Sequence, residues 1–117
     1  MAQHKVTTAR FAGRVIVRAA GETVADSTDA LVMHETGYDP VFYVPRSDVR
    51  MELLEPSEHE TRCPHKGTAR YWSIKAGGGT IENAVWAYDE PLEPVGDIAE
   101  RVAFYPGKVD AIEATGL

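Results

Sequence analysis

Only one cysteine occurs in the 117 residues, so neither an internal disulfide nor a zinc site built on several thiolates can form. Long apolar runs are also missing. The longest unbroken stretch spans residues 84–88, far short of the roughly 20 residues a membrane-spanning helix needs. Basic charge is scarce: 12 Lys and Arg stand against 18 Asp and Glu, a net charge of −6. With no basic field to hold phosphate backbones or anionic headgroups, neither nucleic acid nor a membrane is an expected partner. The opening residues, Met1 through Thr8, lack the apolar stretch of a secretory signal, and a cytoplasmic location is the expectation. Sustained helical periodicity is absent too, which argues against a helical bundle.

What remains is a composition of 44% hydrophobic and 26% charged residues, ordinary for a globular chain. Its length predicts one compact domain over residues 1–117. Short apolar stretches broken by turn residues predict a mainly β fold. Residues 14–20 and 23–26 read as strands joined at Gly21-Glu22, and residues 29–35 continue the meander. Val41-Phe42-Tyr43-Val44 is a strand punctuated by Pro40 and Pro45. Ser47-Asp48 reads as the cap of a short helix reaching about Leu53. Residues 68–74 and 83–88 read as strands of a hairpin turned by Gly77-Gly78-Gly79. A second helical turn is expected over residues 94–100, and Pro106-Gly107 fits a type II turn.

The densest chemistry lies in Cys63-Pro64-His65-Lys66-Gly67, where positive neighbours favour the thiolate and make Cys63 a better nucleophile. Two readings stand side by side: a catalytic or redox thiol assisted by Lys66 or His65, and a thiol that simply packs. Period-two alternation places Val41 with Tyr43, Tyr71 with Ser73, and Trp86 with Tyr88. Aromatics from three strands then meet, either as a core or as the wall of a pocket for a flat ligand. Arg46 can offer an anion-binding fork at the rim or pair locally with Asp48.

Other groupings are weaker. His34 beside Glu35, and His59 between Glu58 and Glu60, lack the repeated spacing of a metal site, so neither a metal nor a cofactor is expected. Asp26, Ser27 and His34 can be drawn as a hydrolase triad, but no nucleophile-elbow motif surrounds Ser27. Gly77-x-Gly79 is followed by Glu82 where a dinucleotide fingerprint requires glycine, and no phosphate loop is present. Residues 77–100 carry six acids and no Lys or Arg, which reads as a solvated face or a surface for a protein partner.

In order along the chain, Gly21-Glu22-Thr23-Val24-Ala25-Asp26-Ser27, Tyr43-Val44-Pro45-Arg46-Ser47-Asp48-Val49, the Cys63–Gly67 turn with Tyr71-Trp72-Ser73, Trp86-Ala87-Tyr88 and Ala103-Phe104-Tyr105 resemble domain-of-unknown-function family 427. The resemblance implies a small β-tent, two antiparallel sheets leaning together, similar to methionine sulfoxide reductase B and the ligand-binding domain of cereblon. Relatives of that architecture often hold zinc through paired Cys-x-x-Cys turns, and Cys63 alone implies its absence here. The family's occasional nucleotidyltransferase-like name finds no Asp-x-Asp metal pair to support it. The resemblance adds weight to a small-molecule ligand, polar or anionic and partly planar, held by Tyr43, Arg46, Lys66, Tyr71, Trp86 and Tyr88. The competing expectation is an enzyme using Cys63, Lys66 and His65.

Overall fold

The computed structural model describes residues 4–93 and 95–116. Ten strands follow one another: β1 Val6–Arg10, β2 Gly13–Ala19, β3 Glu22–Ser27, β4 Leu31–Glu35, β5 Val41–Pro45, β6 Leu54–Cys63, β7 Gly67–Ala76, β8 Gly79–Ala87, β9 Arg101–Phe104 and β10 Ala111–Gly116. They form two antiparallel sheets, one of seven strands in the order β1-β4-β5-β9-β8-β7-β6 and one of three in the order β10-β2-β3. The mainly β architecture of two leaning sheets matches the sequence reading. Among the described residues no helix is long and apolar enough to cross a membrane.

Alternation explains how the sheets meet. On β2, Val15, Val17 and Ala19 are buried while Arg14 and Arg18 face solvent, where they pair with Asp26 and Glu113. The buried row packs on Val44, Trp72, Ile74, Val85, Ala87, Val102 and Phe104 of the larger sheet. That sheet is buried on its other face as well, by residues one position out of phase: Tyr43, Ala69, Tyr71, Tyr88 and Ala103. Val95 and Ile98, from the segment before β9, are seated against this second face.

The seven-stranded sheet is nearly two sheets. Only Val44↔Val102 and Pro45↔Arg101 join β5 to β9. Strands β1, β4 and β5 therefore form one wing and β6 to β9 the other, hinged on a two-residue ladder and diverging beyond it.

The meander expected to continue through residues 29–35 is broken, because β4 pairs with β1 and β5 in the larger sheet rather than with β3; two further elements differ from the sequence reading and a third is shorter than expected. The expected helix after Ser47 is instead two single 3₁₀ turns, Arg46–Asp48 and Met51–Leu53. Asp48 does not cap it, because its carboxylate accepts the buried Ser27 hydroxyl (2.7 Å), and Val49 is drawn into an extended bridge with Ala25. The second expected helical turn is a 3₁₀ turn over Gly96–Ile98, and Pro94 lies outside the described residues. The Pro106-Gly107 turn closes through Lys108 N–H on the Tyr105 carbonyl, but Gly107 is not among the positive-φ residues a type II turn requires. By contrast Gly77 and Gly78, at φ 62° and 76°, make the expected hairpin turn.

Candidate functional site

The aromatic residues of β5, β7 and β8 converge as their alternation predicts. Tyr43, Tyr71 and Tyr88 are buried in one cluster, with Val41, Cys63, Trp86 and Tyr105 packed against it. Trp86 meets Tyr43 edge-on and lies 4.4 Å from the Tyr105 ring. Its indole Nε1 donates to the Tyr43 hydroxyl at 3.3 Å. The Tyr71 hydroxyl bonds both Thr61 Oγ1 (2.8 Å) and the Tyr105 hydroxyl (3.2 Å), and His59 sits edge-on to the Tyr71 ring. Burial pushes the Tyr43 hydroxyl up to about 12 and moves Tyr88 and Tyr105 upward as well, so all three stay protonated at neutral pH.

An ion pair closes the edge of this cluster. Lys66 Nζ reaches Glu35 Oε1 at 2.6 Å, with only 14% and 11% of the two side chains exposed. His4 Nε2 lies 3.2 Å from the other Glu35 oxygen, and the His65 ring stacks on His4 at 4.1 Å. Lys66 is also 5.9 Å from the Tyr88 ring centre. The turn that presents it depends on Gly67, whose φ of +113° favours glycine and whose backbone is passed closely by Glu90 and Leu92. Leu92 N–H donates to the Lys66 carbonyl there.

The structure thus brings Tyr43, Lys66, Tyr71, Trp86 and Tyr88 together, with Cys63 half-buried beside them. Glu35 stands out in the sequence only beside His34, and its pairing with Lys66 carries no sequence signal, since 31 residues separate the two. His65 is exposed and stacked on His4 instead. Arg46 lies elsewhere: its guanidinium bonds Asp89, not Asp48, and stacks over Trp72, which Arg70 approaches at 4.6 Å. Trp72 belongs to the inter-sheet core, on the opposite face from Tyr71.

The weaker groupings are also resolved into ordinary contacts. Asp26 pairs with Arg14, which holds its carboxyl below the usual range; Ser27 bonds Asp48, and His34 is exposed on β4. Among the described residues, no group of three or more His, Cys, Asp or Glu is placed to hold a metal ion.

A different space opens where the two wings part. A cavity of about 270 Å³ lies between the sheets, walled by Val15 and Val17 of β2 and Ile112 of β10 on one side. Opposite them stand Val41, Phe42 and Val44 of β5, Trp86 and Phe104, with Pro40 and Pro106 at the ends. Among the described residues, no charged side chain lines it. Of the expected site residues only Trp86 borders this cavity.

A family model described as Domain of unknown function (DUF427) matches residues 7–115. The chain belongs to the DUF427 family. No curated protein matches it. Within this DUF427 chain the match covers both wings, the three-stranded sheet, the aromatic cluster and the inter-sheet cavity.

Proposed function

We propose that this DUF427 domain binds a small, flat, uncharged ligand in the cavity between its sheets. The observation that carries the reading is the lining itself: about 270 Å³ bordered only by Val, Ile, Pro, Phe and Trp side chains. The cleft opens to solvent past Pro40 and Pro106, so a guest can enter without unfolding, and its apolar side chains favour an apolar guest; roughly 150 Å³ is already enough for benzene. The volume here suits a ligand of about two fused rings.

Charge decides the ligand class. Arg46 and Lys66, the cations expected to hold an anion, are committed to Asp89 and Glu35, and neither borders the cavity. A carboxylate pushed into this lining would lose its hydration with nothing to replace it. The ligand is therefore neutral rather than anionic.

A matched pair of probes tests this: 2-naphthol and 2-naphthoate share the bicyclic ring and differ in charge. Titration followed by NMR should show 2-naphthol shifting Val17, Phe42 and Ile112, with naphthoate at least about tenfold weaker. Ile112→Phe, which fills the cavity, should abolish the binding. Equal binding of the two probes, or binding indifferent to Ile112→Phe, would contradict the proposal.

A further inference from the structure

We infer that Trp86 is the partition that sets how long a ligand the cavity accepts, an inference that rests on the cavity reading above. Beyond Val44↔Val102 no ladder joins β5 to β9, so the sheet has a gap between its wings. Trp86 belongs to both sides of that gap. Its ring borders the inter-sheet cavity, and the same residue packs into the tyrosine cluster on the opposite face. Its indole N–H reaches across the gap to the Tyr43 hydroxyl of the other wing.

No other residue that borders the cavity is hydrogen-bonded by its side chain across the two wings among the described contacts. Val44 and Val102 already close the hinge end through backbone pairing, so the side chain of Trp86 stands where strand pairing would otherwise separate the cavity from the tyrosine cluster. Removing the indole adds the volume it fills beside Tyr43 and Tyr105 to the cavity and lengthens it. A hydrogen bond of 3.3 Å to one hydroxyl is the fastening, and Tyr43→Phe releases it while keeping the ring. Trp86 is thus a specificity-determining residue: it admits a bicyclic ligand and refuses a longer one.

Two neutral probes read this directly, 2-naphthol and the four-ring 1-pyrenemethanol, each titrated against the wild-type chain and Trp86→Ala. Wild type should bind 2-naphthol and exclude the pyrene, whereas Trp86→Ala should bind the pyrene at least about tenfold more tightly than wild type does. Tyr43→Phe should fall between them. If Trp86→Ala does not fold, Trp86→Leu keeps an apolar filler and should still admit the pyrene. Wild type taking both probes equally, or a folded Trp86→Ala or Trp86→Leu that binds 2-naphthol and still excludes the pyrene, overturns the partition and leaves the cavity reading intact. Wild type binding neither probe while Trp86→Ala binds the pyrene defeats the cavity reading and upholds the partition. Binding of neither probe by any of the folded proteins overturns both.

Discussion

The two faces of the seven-stranded sheet are buried by different chemistry. Toward the three-stranded sheet, Val15, Val17, Val44, Val85, Val102 and Phe104 make an apolar, mostly aliphatic contact that leaves an open cleft. On the opposite face, Tyr43, Tyr71, Tyr88 and Tyr105 bring hydroxyls inside, and the Glu35–Lys66 pair closes the edge. The aliphatic side is held by area alone and can tolerate empty space, whereas the tyrosine side depends on partners that must all be present. The first is suited to admitting a guest; the second is suited to fixing the wings on which that guest's cavity depends.

The largest expected effect comes from breaking the polar side. Lys66→Met leaves the Glu35 carboxylate mostly buried with His4 as its remaining ion-pair partner among the described residues, and should cost about 3 kcal/mol in urea unfolding. The Lys66→Met, Glu35→Met double variant should recover most of that loss, because the uncompensated charge goes with it. Recovery below half would show that the pair matters for more than its charge.

Alkaline pH should loosen the same face next. The Tyr43 hydroxyl is raised to about 12 when folded, so the unfolded chain releases this proton first, from near pH 10. Stability is then fully present below about pH 10 and falls as pH rises toward 12, by roughly 2 to 3 kcal/mol from this residue. Tyr43→Phe should flatten that part of the pH profile.

Smaller changes sharpen the contrast. Tyr71→Phe removes the hydroxyl between Thr61 and Tyr105 and should cost about 1 kcal/mol. Ile112→Phe puts apolar volume into the void on the other face and should stabilise by about 0.5 to 1 kcal/mol, read as a rise in Tm. A loss of that size instead would show the space is already taken.

Sequence reading found what alternation can reveal. Val41 with Tyr43, Tyr71, and Trp86 with Tyr88 all fall on the face their period-two spacing assigns, because each strand is buried in rows. Strand β6 escaped it: Glu55, Pro56, Glu58 and Glu60 form an edge strand exposed almost throughout, held by pairing with β7 rather than by an apolar row. The short helix after Ser47 failed for a tertiary reason, the bridge of Val49 to Ala25 and the diversion of Asp48 to Ser27. In the candidate site, the aromatic residues were legible and the partners of the cations were not, since Glu35 and Asp89 approach Lys66 and Arg46 only in three dimensions. The cavity left no composition signal at all. It arises because β5 and β9 pair at only two positions, which depends on how the strands diverge.

Xenon is the most direct probe of the difference between the faces, since it enters dry apolar cavities without needing a specific contact. Crystals of the wild-type chain under xenon pressure should show the atom between Val17 and Phe42, beside Trp86, and none among Tyr43, Tyr71 and Tyr88. Xenon absent from the inter-sheet space, or bound within the tyrosine cluster, would contradict the assignment of the ligand site to the aliphatic face.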